Sequence, residues 1–460
     1  MPINPIPFEA NSIVTPYLDY YYGLSGISNT SIKTTSTPPI LNAFQRILNG
    51  DHINPTENQR VTHHICRQPP YDQALNDIRN CQSIIKEKKF KAICHIGIGG
   101  SISGPKFICH ALNAWNTPCN YPISFISNHD ESHINQALKK NPIESTLFII
   151  VSKSGTTIEI EKIISTIATQ QNNPSFLNDQ CITITTKKSP LFSHKYLASY
   201  AFDSGVGGRF SSTSMASLIT LGIGYGEHLI TPFLNGAHTA DTDAKKSPEK
   251  NIALSQAIIR YHQQKNNHGL AIVPYGYALT HLPPLMTQLI CESLGKAATN
   301  NHALSSTPHS PIPMHGIGPE AQHTFFQQLH QGPEIIPAEF IYSTPSTPNQ
   351  NHILEQIIGQ MISLMDGYTD NRPQHHFSGG RPSTLLMIKE PSIAALGYFI
   401  ATLENRIIFE GLLHNINPFD QPGVELGKKI SLLAETKGTP ANKLVTLILK
   451  NCENGPQTVG

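Results

Sequence analysis

Two short loops in this sequence combine small residues, hydroxyls and positive charge in a way that suits an anion. Ser152-Lys153-Ser154-Gly155-Thr156-Thr157 sets four hydroxyls, one ammonium and a glycine between an apolar run and a helical pattern. Backbone N–H groups at such a helix start favour a phosphate dianion. Ordinary capping by Ser154 or Thr156 would use only one of those hydroxyls, so the composition favours phosphate binding. Gly97-Ile98-Gly99-Gly100-Ser101 likewise follows an apolar run. A dinucleotide fingerprint would need Gly or Ala at Ile102, and a P-loop would end in Gly-Lys-Ser/Thr; neither is present. Taken alone, this loop is either a structural turn or an anion cradle. Two such loops after two parallel strands can converge on one phosphate, which makes a phosphosugar the leading ligand class.

Groups able to move protons or stabilise charge occur further along. Gly205-Val206-Gly207-Gly208-Arg209-Phe210-Ser211 delivers an arginine from a glycine-rich turn just before a helix. That arginine is either a surface charge or a planar cation for a developing oxyanion. Gln288 and Glu292 stand at i and i+4 in QLICESLGK, so a helix gives them one face, in a site or in solvent. His323 and His330 both lie in EAQHTFFQQLHQG, and spacing does not choose between them. Lys428 closes FDQPGVELGK beside Lys429 and reads by itself as a solvated lysine.

The elements needed to position these residues are legible in the pattern. FKAICHI (90–96) is a short apolar run that ends in a loop, TLFIIVSK (146–153) is a continuous apolar run of the kind buried on both faces of a sheet, and CITITTK (181–187) gives a further strand. Helical spacing follows in KFICHALNAW and in the stripe Ile158, Ile163, Ile164 and Ile167. GLAIVPYG (269–276), AEFIYS (338–343) and STLLMIKEP (383–391) restart the strand pattern, with helices around Gln288–Lys296 and Leu403–Phe409. Strands alternating with helices predict an α/β fold of mostly parallel, helix-flanked sheets, with ligands beyond the carboxyl ends of the strands. The loops after Ile96 and Lys153 are therefore expected to face the ligand. The expected units are an irregular N-terminal arm (1–70), a first α/β lobe (71–240), a second lobe (250–430) and a helical tail (431–460), with the polar stretch 238–251 as the passage between lobes.

Bulk properties narrow the function. The 460 residues hold 33 basic and 32 acidic side chains, so no net field exists to bind a nucleic acid. No segment has the length and apolarity to span a bilayer, and no basic start followed by an apolar run marks export. Eight scattered cysteines without CxxC pairs fit reduced thiols in a cytoplasm. The 22 histidines are dispersed and show no HExxH or finger spacing, so no metal is expected.

Taken in order, INPTENQRVTHHICR, IGIGGSISGP, SKSGTT, GVGGRFS, QLICESLGK, QHTFFQQLHQG and NRIIFEGLLHNINPFDQPGVELGK, from Ile53 to Lys428, resemble the glucose-6-phosphate isomerase (phosphoglucose isomerase) family of the sugar-isomerase (SIS) fold group. The resemblance implies two SIS-type lobes and reversible, cofactor-free isomerisation of glucose 6-phosphate and fructose 6-phosphate. It assigns phosphate binding to Gly100, Ser101, Ser152, Lys153, Ser154 and Thr157, with Glu159 as a supporting acid and Gln288 contacting substrate. It assigns proton transfer between C1 and C2 to Glu292, charge stabilisation to Arg209, and ring opening to His323, which follows a glutamine, with Lys428. It further implies a homodimer in which a histidine crosses to the neighbouring site. This chain departs from the family pattern at Ser103, at Gly155, at Pro422 and in HGIGPEA before His323, none of which removes a catalytic group. A dual glucose/mannose phosphate isomerase would share these motifs. A SIS-type sensor that binds without catalysing would need Ser101 and the Ser152–Thr157 loop but not Glu292, His323 and Lys428 together.

Overall fold

The first described residues, expected to be an irregular arm, form strands. In the computed structural model, which describes residues 11–453 apart from 36, 52, 140, 172, 174, 345–350 and 370–371, β1 (Ser12–Val14) pairs antiparallel with β2 (Leu18–Tyr21). The segment is too polar for a core of its own, yet Leu18 and Tyr20 are fully buried against a sheet built from distant residues. Further along the arm, β3 (Ile53–Asn54) and β4 (Gln59–Arg60) make a two-stranded ribbon. The part of the expected arm at 1–10, and the end of the expected tail at 454–460, lie outside the described residues.

The first large sheet holds β5 (Ala92–Ile96), β6 (Ile123–Ile126), β7 (Thr146–Val151), β8 (Cys181–Thr185) and β9 (Ala198–Ala201), in the order β6-β5-β7-β8-β9 with every pair parallel. All residues of β5, β7 and β8 are buried; β7 (TLFIIV) reads as a continuous apolar run for that reason, while β5 and β8 bury His95, Thr183 and Thr185 among their apolar residues. The edge strands β6 and β9 are half-buried and carry no such signal. Helix Ile158–Gln171 lays Ile160, Ile163 and Ile167 against the sheet; Ile158 and Ile164 of the expected stripe sit at its margin.

The second sheet holds β10 (Gly269–Tyr275), β11 (Ile312–His315), β12 (Ala338–Ser343) and β13 (Ser383–Ile388), in the order β1-β2-β13-β12-β10-β11. It is parallel from β11 to β13, and β2 closes it antiparallel. Helix Ile393–Leu413 is tied to this sheet by a buried ionic cluster. Arg406 donates to both carboxylate oxygens of Glu339 on β12, each at 2.7 Å, and to Glu410 one turn on, at 2.7 Å. Such a cluster is worth little net of desolvation, but removing one partner costs about 3–5 kcal/mol.

The polar stretch at 238–251 is not an open passage. It completes helix Ile230–Asp243, passes a 3₁₀ turn at Pro248–Lys250 and enters helix Ile252–Gln263. Two of its three acids turn inward: Asp241 accepts from Arg67 and Asn405, both at 2.8 Å, and Asp243 accepts from the Tyr398 hydroxyl at 2.7 Å, while Glu249 is exposed. The chain up to Pro418 packs as one compact unit. A second unit, Phe419–Gly460, contains helices Glu425–Glu435 and Pro440–Glu453. No described helix is long and apolar enough to cross a membrane.

Candidate active site

β5 and β7 are neighbours in register, Ile96 opposite Ile150, so the loops that leave their carboxyl ends emerge side by side. After β5 the chain turns through Gly97–Gly99 into helix Gly100–Ala114, with Ser101 in its first turn. The first amides of a helix have no partner within it and suit an anion. The Ser101 side chain is half-exposed and makes no hydrogen bond among the described residues.

After β7, the loop carrying Lys153 is organised by its own hydroxyls. Ser152 Oγ accepts from the Gly155 amide at 3.1 Å and lies 3.3 Å from Thr157 Oγ1. Ser154 Oγ accepts from the Thr156 amide and hydroxyl, both at 3.2 Å. Thr186 Oγ1 pins the Lys153 carbonyl at 3.1 Å. The Lys153 ammonium lies 3.6 Å from Glu57, a residue in the turn of the β3–β4 ribbon. Glu159 stands in the first turn of helix Ile158–Gln171, half-buried and without a side-chain partner among the described residues.

The glycine-rich turn before Arg209 packs directly on the first loop. A Cβ at Gly100 would lie 2.0 Å from the Gly208 carbonyl, so the two backbones approach as only glycine permits. This contact sets Arg209 beside the first loop, with its side chain 1% exposed. Arg209 Nε donates to Ser293 Oγ at 2.6 Å, Nη2 to the Pro418 carbonyl at 2.5 Å, and Nη1 to Glu292 Oε2 at 3.2 Å.

Gln288 and Glu292 lie on helix Leu282–Leu294, which follows β10. Their i, i+4 spacing places them on one face. Gln288 Nε2 donates to Glu292 Oε1 at 3.2 Å, and Ser103 Oγ donates to Gln288 Oε1 at 3.2 Å. Both Glu292 oxygens are thus held, one by an amide and one by a guanidinium, while the side chain keeps 29% exposure. Ser103, one of the departures from the family pattern, orients the glutamine.

The structure therefore brings Gly100, Ser101, Arg209, Gln288 and Glu292 together, with the Ser152–Thr157 loop on the adjacent strand end. His323 follows the short helix Gly318–Ala321 as an exposed side chain and makes no side-chain hydrogen bond, to this cluster or elsewhere, among the described residues. His330 bonds Gln360 Oε1 at 3.0 Å and packs against the Phe326 and Phe377 rings. Lys428 belongs to the second unit, where its ammonium pairs with Glu425 at 3.0 Å. Ser293, Glu57 and the Pro418 carbonyl escaped the sequence reading, as did the contact Ser103 makes, because each acts on a residue far from it along the chain. No group of three or more His, Cys, Asp or Glu side chains is arranged to hold a metal among the described residues.

The Phosphoglucose isomerase family model matches residues 30–445. The chain is similar to the glucose-6-phosphate isomerase of Borreliella afzelii, 32% identical over 90% of this chain and 87% of that one. It is also similar to that of Treponema denticola, 30% identical over 90% and 86%. Among solved structures it resembles a glucose-6-phosphate isomerase from Chlamydia trachomatis, with a TM-score of 0.88, 26% identity and coverage of 95% of this chain and 92% of that one. A hypothetical protein from Thermus thermophilus shares the fold at a TM-score of 0.65 and 21% identity, with coverage of 88% of this chain and 93% of that one.

Proposed function

This chain belongs to the phosphoglucose isomerase family, and from that membership we propose how it acts: it interconverts glucose 6-phosphate and fructose 6-phosphate by ring opening and by proton transfer between C1 and C2 through an enediolate. The observation that carries this reading is the Arg209–Glu292–Gln288 cluster beside two hydroxyl- and glycine-rich loops at the carboxyl ends of adjacent strands.

The substrate phosphate binds to Ser101 and the first-turn amides at Gly100 on one side and to Ser152, Lys153, Ser154 and Thr157 on the other, with Glu159 supporting the second loop. These contacts persist from ground state to transition state, so they act mainly on KM. Glu292 takes the proton from one carbon and returns it to the next, as base and then acid. Arg209 cannot be deprotonated, and its anchored fork stabilises the negative oxygen of the enediolate without reorganising during the reaction. Gln288 orients both Glu292 and the sugar. His323 and Lys428 open the ring by exchanging protons with the ring oxygen and anomeric hydroxyl.

The enzyme works as a homodimer in which His323 reaches the site of the neighbouring subunit. Its exposure, without a side-chain hydrogen bond among the described residues, supports this arrangement. No cofactor is needed for such a proton transfer, and the reaction runs in the cytoplasm, in keeping with the unpaired state of the described cysteines.

A coupled assay with fructose 6-phosphate and then mannose 6-phosphate, repeated after exhaustive chelation, tests the reading. Turnover of fructose 6-phosphate that survives EDTA is expected. Equal turnover of mannose 6-phosphate would mark a dual-specificity isomerase, and binding without turnover would mark a sensor. Light scattering at assay concentration is expected to give the mass of a dimer, and a fully active monomer would exclude the shared site.

A further inference from the structure

The helix that opens the first anion loop contains a proline one turn in. Pro105 lies inside helix Gly100–Ala114, and proline has no N–H to offer the carbonyl four residues back. That carbonyl belongs to Ser101. Left unpaired away from water, it would cost as much as a lost hydrogen bond.

A donor comes from a different element. Nε2 of His95, on β5, stands 2.8 Å from the Ser101 carbonyl, and Nδ1 stands 2.8 Å from Thr220 Oγ1 on helix Met215–Tyr225. A carbonyl only accepts, so Nε2 carries the proton, and the neutral ring accepts at Nδ1 from the Thr220 hydroxyl. His95 and Thr220 are fully buried, and desolvation keeps the imidazole neutral by pushing it down to about 4. Gly97 leaves room for this contact. A Cβ there would lie 2.8 Å from the same carbonyl.

We propose that His95 is a positioning residue for Ser101: it replaces the helical hydrogen bond that Pro105 removes, and so holds the first turn of the helix in the geometry that binds the substrate phosphate. The orientation of the anion cradle is then set by the strand beneath it instead of by the next turn of its own helix. The inference rests on the reading of Ser101 as a phosphate ligand.

The test measures KM, kcat and Tm for His95→Leu, His95→Gln, Pro105→Ala and the double variant His95→Leu/Pro105→Ala, with Ser101→Ala alongside. Leucine removes the donor, glutamine carries an N–H to nearly the reach of Nε2, and alanine at 105 restores the main-chain N–H to Ser101. His95→Leu is expected to raise KM for fructose 6-phosphate about five- to tenfold, the scale of one hydrogen bond, with kcat within about twofold. His95→Gln and the double variant are expected to bring KM back to within about twofold of the wild type. A merely structural role for the imidazole would lower Tm, but no main-chain N–H on a separate helix would rescue it. KM unchanged in His95→Leu, or still raised in the double variant, overturns the inference if Ser101→Ala raises KM; unchanged KM in Ser101→Ala overturns the phosphate reading instead. Should His95→Leu fail to fold, the double variant decides: folded with near-normal KM supports the proposal, and unfolded or still impaired overturns it.

Discussion

Arg209 is anchored before any substrate arrives. Ser293, the Pro418 carbonyl and Glu292 each take a bond from its guanidinium, so its charge is aimed without freezing a flexible side chain during the reaction. Lysine would keep the charge and lose the fork. Arg209→Lys is therefore expected to lower kcat about 10²- to 10³-fold while KM changes little, as measured by steady-state kinetics with fructose 6-phosphate. Glu292 differs in kind, because its oxygens are held by Arg209 and Gln288 yet the side chain stays partly open. Glu292→Gln keeps its size and one accepting oxygen but cannot accept and return a carbon-bound proton. Turnover is expected to fall at least about 10³-fold, and solvent-deuterium exchange at C1 to fall with it, while binding persists. Exchange continuing at the wild-type rate would show that another residue moves the proton.

The β3–β4 ribbon shows how a short element can reach several parts of a site. Its flank is tied to the Arg209 turn through Thr62 N to the Gly205 carbonyl at 3.2 Å, its Asn54 accepts from Asn417 at 2.8 Å, and Glu57 in its turn faces Lys153. Lys153 and Glu57 are both about a third exposed, so the pair adds little stability and is screened by salt. With Lys153 in its proposed role, a phosphate dianion would compete with Glu57 for the same ammonium. Glu57→Gln is expected to lower KM and the inhibition constant of inorganic phosphate about two- to fourfold at low ionic strength, and the effect is expected to vanish at about 1 M salt. Lys153→Ala is expected to raise both constants with kcat retained. If Glu57→Gln raised KM instead, the carboxylate would be a support for the lysine and not its competitor.

The chain as a unit carries a pH dependence written by burial. Desolvation pushes His95, His281 and His414 down to about 4, and His64 to about 3, from an ordinary 6.5. On unfolding these rings regain their ordinary affinity for protons, so between pH 6.5 and about 4 the unfolded chain binds more protons and stability falls as the pH drops. Glu404 opposes them. Burial raises its carboxyl from 4.5 to about 7, so its contribution is lost as the pH rises through that window. Burial also lowers His63 and His262 and raises Glu410 and Asp77; the lowered histidines outnumber the raised carboxyls, and the urea midpoint is expected to fall from about pH 7 to about pH 5 at constant m. His95→Gln is expected to flatten the slope by up to about 1.4 kcal/mol per pH unit. A midpoint that holds or rises toward acid pH would contradict this account.

Buried parallel strands and the loops after them are readable along the chain because their requirements are local. TLFIIV must be apolar on both faces, a helix start that binds an anion needs small residues and hydroxyls, and two residues four apart share a helix face whatever surrounds them. The β5, β7, β8 and β10 strands, the positions of the two loops after β5 and β7, and the Gln288–Glu292 pair all follow from such patterns. Strands β1 and β2 do not, since their burial exists only against β13, at the far end of the chain in sequence. The acids at 241 and 243 read only as part of a polar passage and become buried once Arg67, Asn405 and Tyr398 fold over them. The choice between His323 and His330 follows the same division. One histidine is taken up by Gln360 and two phenylalanine rings, and the other is left exposed, an outcome set by packing partners that no spacing along the chain encodes.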